Sequence, residues 1–392
     1  MRIALVCGYF DWFSGYQEVA LAEAFSRYAE VEVIAGDRVS PIFNDAHLEK
    51  LGRHRAYDSG TTIENGVTVT RFPVREVRSM VWSSQAVSYL RRSDHDLVVQ
   101  VMPGQGLPIA ASLASAGKRR VALYGDNAAM WLALPQWKQA LKWVAFTISK
   151  GLAYRYVNSR AVHAYGYTPD TITRLRGFFG STPADVLPLA YDADRFFHDA
   201  DLRRATRSQL GLREDDVLVI TVGKFQRYKG IEDIVEAVDR TSRQDVNLRV
   251  LLVGADSSEY SDEIRAMVAG RDQDAVPVEV LDFRDAESLN ALYNAADIGV
   301  WPRLPAISIQ QAMGTGLFVV LPQNQWVGHL VEPGTGKYFE AELGIEGLAR
   351  ALDEYSGADR TDERRDERAR RNSRFSGDGI ARQVLEHVGL SH

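Results

Sequence analysis

The sequence predicts an α/β protein built from two doubly wound parallel sheets. Short runs of aliphatic and β-branched residues, such as 2–7 and 217–222, have the length and composition of strands that are buried on both faces. Each run leads through a polar or glycine-containing turn into a segment with apolar residues at helical spacing. This alternation occurs in both halves of the chain, and 392 residues are enough for two domains.

In the first half, the strand over 2–7 is followed by a loop and by a helix within 16–28. The polar stretch 37–64 shows little pattern, so no element is assigned to it. The remaining strands predicted in this half are 30–36, 66–74, 95–102, 119–127 and 154–159, and the helices are 82–92, 107–117, 135–154 and 159–165.

The second half begins after residues 183–200, which contain two prolines and several aspartates and lack periodicity. The charged segment 358–375 is expected to be solvated helix and loop, and the final helix, 379–388, is amphipathic. The strands predicted between these limits are 217–222, 248–255, 277–283, 297–302 and 317–322, and the helices are 231–242, 259–269, 286–296, 307–315 and 346–355.

The composition excludes several functional classes. A net charge of −6 gives no support for broad nucleic-acid binding. The single cysteine, Cys7, excludes an intramolecular disulfide and a cysteine-cluster metal site, and it fits a reducing compartment. The apolar run after Met1 is too short for a signal peptide, and no uncharged stretch reaches the ~20 residues of a membrane-spanning helix. We therefore expect a cytoplasmic protein.

The most informative stretch is 217–230. A buried strand leads through Gly223 to Lys224 and Lys229, and a helix starts after Gly230. The free N–H groups of a helix start and two ammonium groups together favour a phosphate or diphosphate ligand. The alternative is an ordinary strand–helix connection with solvated lysines, and this stretch alone does not separate the two.

Several motifs that follow in order resemble those of family 4 glycosyltransferases. The resemblance is dense over 186–340 and thinner over 2–35 and 95–160, where the loop 14–18 is similar to a G-G-x-E element. Because the motifs agree at the right distances, they are far more specific than one short pattern. They are VGKFQRYKGIEDIVEA, LRVLLVGA, VEVLDFRDAESLNALYNAADIGVWP, ISIQQAMGTGLFVV, LVEPGTGKYF and LAYDADRFF.

This resemblance implies a GT-B fold, in which two Rossmann-like doubly wound domains face a central cleft. The implied parts are an acceptor-binding domain over 1–185, a linker over 186–200 and a nucleotide-sugar-binding domain over 201–370. A C-terminal helix within 371–392 would pack back on the first domain. The resemblance also implies transfer of a sugar from a nucleoside-diphosphate donor with retention of anomeric configuration.

The resemblance assigns roles to individual residues. Lys224 and Lys229 would contact the donor diphosphate and stabilise charge on the leaving group, which makes both candidate catalytic residues. Lys224 stands where the family has arginine, and its point charge holds a phosphate in a looser geometry than a guanidinium does. The other implied donor contacts are the backbones of Gly15 and Gly223, the base-contacting loop with Asp282 and Phe283, and the amides of Ile307 and Ser308.

The sequence departs from the family at a pair of glutamates separated by seven residues. The matching positions are Arg303 and Gln311, which we still assign to donor binding. Gln311 can hydrogen-bond ribose hydroxyls without a charge, whereas Arg303 cannot accept a hydrogen bond from a sugar. Three interpretations stay open: a donor sugar whose carboxylate pairs with Arg303, a neighbouring residue that replaces the first glutamate, or reduced or lost activity.

A histidine of the family is also missing from the first half. Gly125, Asp126 and Asn127 take its place, and Asp126 is the candidate catalytic residue that orients the acceptor or the donor sugar. The alternative is that Asp126 caps a helix.

No cofactor and no metal are expected. Two D-x-D triplets occur at 94–96 and 192–194, but the first precedes a strand and the second lies in the linker. The GTGK sequence at 334–337 lacks the earlier glycine of a P-loop, and the eight histidines show no ligand spacing.

Tryptophans and lysines cluster around the helix predicted over 135–154. Because acceptors in the resembling family are often lipid-linked, this helix is a candidate for peripheral contact with the inner face of a membrane. The alternative is an ordinary helix that buries its tryptophans against the sheet. The residues of this cluster are Trp131, Trp137, Lys138, Lys142, Trp143 and Lys150.

These observations lead to the hypothesis of a retaining glycosyltransferase, a hexosyltransferase with a nucleotide-sugar donor and a carbohydrate or lipid-linked acceptor. Surface polysaccharide or glycolipid synthesis is the expected setting. Two alternatives remain, a nucleotide-sugar-binding protein of the same fold without transfer activity and a sugar-nucleotide epimerase. The epimerase requires a carboxylate-rich cleft, for which the sequence shows no pattern.

Overall fold

The computed structural model describes residues 1–14, 17–41, 43, 45–50, 52–77, 80–114, 117–125, 135–241, 247–355 and 360–390. The chain divides into two compact units. The first consists of Met1–Ala190 with Gly377–His392, and the second is Tyr191–Ser376.

The first unit contains a sheet of eight strands in the order β10-β9-β8-β7-β1-β2-β4-β3. All of its pairings are parallel except the one between β3 and β4 at one edge. Strands β5 and β6 form a separate antiparallel hairpin. The strands are β1 (Arg2–Val6), β2 (Glu30–Gly36), β3 (Gly60–Glu64), β4 (Val67–Phe72), β5 (Arg75–Val77), β6 (Met80–Trp82), β7 (Leu97–Val101), β8 (Arg119–Tyr124), β9 (His163–Gly166) and β10 (Ala184–Val186).

Helices cover both faces of this sheet and bury separate apolar clusters against it. The helices within 1–190 are α1 (Gln17–Ser26), α2 (Asp45–Lys50), α3 (Ser84–Arg92), α4 (Leu107–Ala114), α5 (Gln136–Phe146), α6 (Leu152–Asn158) and α7 (Pro169–Phe179). A π-helical turn, Thr147–Gly151, joins α5 to α6. The C-terminal helix α15 (Gly377–His387) also belongs to this unit and shares a core cluster with α1.

The second unit has a sheet of six parallel strands in the order β13-β12-β11-β14-β15-β16. Its strands are β11 (Val217–Val222), β12 (Leu248–Ala255), β13 (Val278–Asp282), β14 (Ile298–Val300), β15 (Phe318–Pro322) and β16 (Gly336–Phe339). Its helices are α8 (Ala200–Gln209), α9 (Ile231–Asp239), α10 (Glu259–Ala269), α11 (Ala286–Ala295), α12 (Ile307–Gly314), α13 (Gly344–Asp353) and α14 (Asp362–Asn372).

The doubly wound α/β class predicted from the sequence is confirmed in both units. Every residue of β11 is buried, as its run of β-branched and aliphatic residues predicts. The chain winds from β11 outward through β12 to β13, and then crosses to β14 on the other side. The boundary between β11 and β14 is therefore the topological switch point, and ligands of such sheets bind in the crevice beyond the strand ends there.

Two predicted elements of the first half are wrong. Residues 154–159 are not a strand, because Leu152–Asn158 is helical and buries Tyr154 and Val157 three residues apart on one face. The strand follows at His163–Gly166, where a helix was expected, and α7 begins only at Pro169. The stretch 37–64, which showed little pattern, contains the short helix α2 and the edge strand β3.

The expectation of solvated helix and loop over 358–375 is confirmed for the helix α14, but it is wrong about solvation, since only part of this helix is exposed. Arg365 and Arg368 on α14 are buried, and their guanidinium groups donate to backbone carbonyls. The acceptors of Arg365 include Tyr293 at 2.9 Å, in the last turn of α11, and Ala296 at 2.7 Å, just after it. Arg368 donates to Gly316 at 2.7 Å. Carbonyls without partners at a helix end accept these hydrogen bonds in place of water, which allows the arginines to be buried. A charge-rich sequence gives no sign of this burial.

The buried carboxylate of Asp297 organises the same end of the unit. Arg203 donates to it at 2.5 Å and Arg207 at 2.9 Å, and the amide of Leu218 at the start of β11 donates at 2.9 Å. Burial raises the pKa of Asp297, but the two guanidinium groups outweigh that effect and hold the pKa below its usual value. The start of β11 and the strand β14 are thus fixed relative to α8.

Candidate functional site

The loop that follows β11 holds two of the predicted site residues close together. Gly223 has a φ of +152°, and a Cβ at this position would lie 2.9 Å from Nζ of Lys229 and 4.0 Å from Oγ of Ser308. Its carbonyl lies so close to Gly254, at the end of β12, that a Cβ there would collide with it. Glycine is therefore required at 223 and 254 because both backbones and an ammonium group share one small space.

The ammonium group of Lys229 has no hydrogen-bond or ion-pair partner among the described residues, although the side chain is half-buried. Burial lowers the pKa of Lys229, and the neighbouring charge of Lys224 lowers it further. A cation in this position is poorly solvated and uncompensated, so it attracts an anion to the end of β11.

Lys224 differs from Lys229 in its surroundings. Its side chain is exposed, and Nζ lies 3.9 Å from Oδ2 of Asp256, which follows β12. Hydrogen bonds from Ser258 and Ser261, 2.8 Å for the latter, help to keep the pKa of Asp256 below its usual value. The predicted pair of lysines therefore contains one half-buried cation and one exposed cation beside a carboxylate.

The start of α12 faces the same loop from the other side of the switch point. The Ser308 hydroxyl donates to the carbonyl of Val222 at 2.7 Å, and the Trp301 indole donates to that carbonyl and to Ser308 Oγ, both at 3.0 Å. These bonds tie the last residue of β11 to α12. No side chain caps the first turn of α12, which opens with the amides of Ile307 and Ser308.

Arg303 is held by the protein itself. Its Nε and Nη2 donate to the two carboxylate oxygens of Asp233 at 2.7 and 2.8 Å, and Nη2 also donates to Glu232 at 3.1 Å. Nη1 donates to the Arg227 carbonyl at 2.8 Å. These partners raise the pKa of Arg303 still further. The guanidinium thus joins the loop after β14 to the first turn of α9. These partners within the protein give Arg303 a structural role, which is an alternative to the interpretation that it pairs with a carboxylate of the donor sugar.

The bonds of Arg303 to Asp233 and Glu232 form a clamp, and Gly230 shows how this clamp shapes the lysine loop, residues 223–230. The residue is left-handed, with φ 69° and ψ 46°, and a Cβ would collide with Arg303 Nε and with a carboxylate oxygen of Asp233. Residues 227–229 form a single 3-10 turn before it. The clamp, Gly230 and the 3-10 turn together fix the backbone position of Lys229 and the start of α9.

The other predicted donor contacts lie around this loop without touching it. Gln311 is half-buried on α12. Asp282 ends β13 and accepts a hydrogen bond from Arg265 at 2.9 Å, while the Phe283 ring beside it is 77% exposed. Because β13 is two strands from β11, Asp282 and Phe283 stand roughly 10 Å to one side of the lysines, a distance suited to a nucleotide that spans strand ends.

Two predicted site residues, Gly15 and Asp126, lie outside the described residues, so their roles stay predictions. Nearby, the sequence resemblance contained Glu18 without assigning it a role. Glu18 lies in the first turn of α1, where burial raises its pKa to about 7, and the charge of Asp11 contributes to the increase. A carboxyl group with a pKa near neutrality is a candidate for proton transfer.

The first unit contains a cavity of about 480 Å³ at the carboxyl ends of β7 and β8. Its floor includes Met102, a left-handed non-glycine residue with φ 52° and ψ 65°, whose thioether lies against Gly125. Helices α5 and α6 and the π-helical turn form one wall, and the start of α7 forms another. The sequence did not predict this cavity. Its lining includes Tyr124, Lys142, Trp143, Phe146, Lys150, Tyr154, Asp170 and Arg174.

One group of potential metal ligands was found among the described residues. Ligand atoms of His163, Asp185 and His387 lie within 4.8 Å of one another beside α15. Hydrogen bonds already join His163 to Asp185 at 2.8 Å and Tyr165 to His387 at 2.9 Å. Neither D-x-D triplet contributes to this group, and the expectation of a reaction without metal stays a prediction.

The family model for glycosyl transferases group 1 matches residues 203–372, which include the lysine loop, the Arg303 clamp and α12. The match covers less than half of the chain. The resemblance read from the motifs is thereby confirmed for the second unit. No described helix has both the length and the apolar content that crossing a bilayer requires.

Known proteins similar to this chain are consistent with the group 1 assignment. D-inositol 3-phosphate glycosyltransferase of Geodermatophilus obscurus is 29% identical over 198 residues, which is 44% of this chain and 43% of that protein. A Mycobacteroides abscessus protein of the same name is also 29% identical over 198 residues, 44% of this chain and 42% of the relative. The chain thus spans less than half the length of the curated relatives that it matches.

Solved structures resemble the whole chain. Sucrose-phosphate synthase from Thermosynechococcus elongatus aligns with a TM-score of 0.66 at 18% identity, covering 98% of this chain and 97% of that one. Anabaena Alr3699/HepE, crystallised with UDP, aligns with a TM-score of 0.66 at 18% identity over 99% of this chain and 100% of that one. The fold is therefore GT-B, with two Rossmann-like units, as the resemblance implied.

Sequence reasoning missed the partners that shape the group 1 site. Glu232 and Asp233 indicate only a helix start in the sequence, because acidic residues are usual in the first turn of a helix, at its positive end. Nothing in the spacing indicates that Arg303, 70 residues later, closes over them.

We expect Arg303→Ala to weaken binding of UDP and of UDP-sugars, because it leaves two carboxylates unpaired beside Lys229, the predicted contact of the diphosphate. Arg303→Ala combined with Asp233→Asn should bind more tightly than Arg303→Ala alone, since one repelling charge is gone. Calorimetric titration with UDP-glucose and UDP-glucuronate measures both effects. A loss confined to UDP-glucuronate would contradict the clamp and support recognition of a donor carboxylate.

Glu18 predicts a pH dependence of stability. Its folded-state pKa, about 7, lies above the ordinary value of 4.5, so its stabilising contribution is complete below pH 4.5 and is lost as the pH rises through 7. Glu18→Gln should therefore gain up to roughly 3 kcal/mol over the unmodified protein between pH 4.5 and 8. Urea unfolding at several pH values measures this, with the exposed Glu386→Gln as the control. Parallel pH profiles for both proteins would contradict the shift.

Proposed function

We propose that the protein is a retaining glycosyltransferase that moves a sugar from a nucleoside-diphosphate sugar to an acceptor hydroxyl. The observation that carries this proposal is the ammonium group of Lys229 beside Gly223, which has no partner in the described part of the chain and lies at the switch point of the unit that matches the glycosyl transferases group 1 model. The amides that open α12 and the charge of Lys224 add to the attraction for a diphosphate.

In the proposed reaction the bond between the anomeric carbon and the diphosphate oxygen breaks, and a bond to the acceptor oxygen forms on the same face of the sugar. The acceptor proton passes to the leaving diphosphate. Lys229 and Lys224 stabilise the negative charge that the leaving group gains, and Asp126 orients the acceptor or the sugar. No metal is needed in this proposal because two ammonium groups supply the positive charge.

The donor nucleotide to test first is UDP. Anabaena Alr3699/HepE, which shares the fold, was crystallised with UDP and glucose and with UDP-glucose. In our proposal the Phe283 region contacts the base and Gln311 contacts the ribose. Surface polysaccharide or glycolipid synthesis is the proposed setting. Incubation of radiolabelled UDP-sugars with acceptor panels tests transfer, and the anomeric configuration of the product tests retention.

Two other functions predict different results in that assay. Donor binding without turnover on any acceptor would favour a non-catalytic nucleotide-sugar-binding protein. Conversion of the donor sugar into its epimer without an acceptor would favour an epimerase, which requires a carboxylate-rich cleft.

Lys229→Met tests the diphosphate site. Because an uncompensated charge is removed, the ligand-free variant should melt at a higher temperature, by about 2–4 °C for each kcal/mol relieved in a domain of this size. The variant should also lose most of the stabilisation by UDP. In a protein that binds UDP, this ligand adds about 2.7 kcal/mol to the free energy of unfolding at a concentration of 100 times Kd. Thermal unfolding with and without UDP measures both.

Lys337→Met is the matched control, since Lys337 lies on β16 in the same unit and pairs with Glu354. It should leave the UDP-induced increase unchanged. An equal UDP-induced increase in Lys229→Met would show that the diphosphate binds elsewhere.

We further propose that the first unit contacts an anionic membrane through the helical segment 136–158. Five apolar side chains on one face of this segment are 54–75% exposed, and the segment carries four cations and no carboxylate in a chain of net charge −6. An exposed apolar face flanked by lysine is the pattern of helices that lie in a membrane interface. The five residues are Trp137, Leu141, Val144, Ile148 and Leu152.

Replacing Leu141 and Ile148 together with serine should lower partitioning to vesicles of phosphatidylglycerol and phosphatidylcholine by roughly tenfold or more. Vesicle sedimentation measures this, and high salt should reduce binding of the unmodified protein because part of the attraction is electrostatic. Ile63→Ser is the control, since Ile63 is 78% exposed on β3 and away from the helix. An equal loss in that control would contradict a docking face at 136–158.

A further inference from the structure

The cavity of the first unit lies at the sheet edge where ligands of doubly wound folds bind. It opens after β7 and β8, next to the turn 103–106. That turn is packed tightly, because a Cβ at Gly104 would lie 2.7 Å from the Tyr154 hydroxyl and one at Gly8 would lie 2.8 Å from Gln105. The cavity is therefore bounded by backbone that has little room to collapse into it.

Two local irregularities border this space. Met102 holds a left-handed conformation that costs a non-glycine residue free energy, and its thioether lies at the cavity floor. The wall opposite contains a π-helical turn, which places Ser149 and Lys150 in the lining. Strained backbone and π-helical turns persist mainly where a site requires them.

The lining combines aromatic walls with excess positive charge. Tyr124, Trp143, Phe146 and Tyr154 supply an apolar surface, and their rings pack stacked, tilted or edge to face at 4.9–5.3 Å. The described charged groups in the lining are three cations and one carboxylate, and that carboxylate, Asp170, already accepts from Arg174 at 2.7 Å. Such a site favours a ligand that is apolar over part of its length and anionic at one group.

Lys150 is the cation best placed for the anionic group. It is half-buried, and its one described hydrogen bond is long, 3.4 Å to the Gly104 carbonyl. A phosphate oxygen would be a stronger acceptor for an ammonium group than this carbonyl.

The same helical segment separates the cavity from solvent on its other side. Trp143 and Phe146 face the cavity, whereas Leu141, Val144 and Ile148 are exposed on the opposite face. The helix therefore has apolar side chains on two sides, and the exposed side favours an apolar environment. A ligand dissolved in a membrane interface would meet the cavity directly behind this helix.

We propose that this cavity binds the acceptor, and that the acceptor is an anionic amphiphile with a hydrocarbon segment next to a phosphate group. The hydrocarbon lies against Trp143, Phe146 and Tyr154, and the phosphate pairs with Lys150. This inference rests on the proposed glycosyltransferase function, because it names the substrate class of that reaction.

The test uses the full-length protein and soluble alkyl phosphates of increasing chain length, kept below their micellar concentration, in calorimetric titrations. Affinity should rise about fourfold for each methylene that enters the cavity. Dodecyl phosphate should bind more tightly than inorganic phosphate and than neutral dodecyl maltoside. Equal binding of the maltoside, or no dependence on chain length, would overturn the proposal.

Three variants locate the site. Lys150→Gln should lower dodecyl phosphate affinity at least tenfold, and Ala145→Trp, which fills the cavity from its wall, should abolish binding. Arg160→Gln, an exposed cation of the same unit outside the lining, should leave it unchanged. Unchanged binding in both cavity variants would overturn the proposal.

The UDP-induced rise in melting temperature separates this inference from the proposed function. Cavity variants that fold should keep that rise, which also confirms their integrity. If UDP binds and transfer occurs to soluble sugars while alkyl phosphates do not bind, the acceptor inference fails alone. If UDP does not bind to the unmodified protein, the proposed function fails, whatever the alkyl phosphates do.

Discussion

The site of the second unit depends on one uncompensated positive charge. The ammonium group of Lys229 lies above Gly223, in a space that Gly254 and Ser308 also border, and it has no described acceptor. Holding a half-buried cation in this way costs free energy that a diphosphate would return on binding. The local backbone is consistent with that purpose, because Gly223 and Gly254 keep side chains out of the space.

The position of that charge is fixed from three directions. The Asp297 network with Arg203 and Arg207 sets the start of β11, and the bonds from Ser308 and Trp301 hold its end. The clamp of Arg303 on Asp233 then sets where α9 begins. Arginine at 303 thus has a structural explanation that does not involve a donor carboxylate, since four of its bonds are to this protein.

The sequence predicted what depends on local pattern. The buried runs at 217–222 and 248–255 became β11 and β12 with nearly the same limits, and the group 1 motifs located the lysine loop. It did not predict contacts that close over long separations, such as Arg303 with Asp233 or Arg365 with Tyr293. Charge-rich segments hide such contacts because a buried arginine and a solvated one have the same letter and spacing. The tyrosine-rich stretch 154–159 failed differently, since a three-residue spacing of apolar groups also fits two-residue alternation over so short a run.

The helical segment 136–158 illustrates a further limit of pattern reading. Its tryptophans presented two alternatives, burial against the sheet or contact with a membrane, and the structure divides them between two faces. Trp143 lines the cavity, while Trp137 is 66% exposed with Lys138 above its ring at 5.2 Å. A helix with apolar side chains on two faces exposes one of these faces to water, and that exposure costs free energy. In our proposal that cost is recovered when the exposed face enters an apolar phase, and the same event would bring a lipid-borne acceptor to the cavity behind the helix.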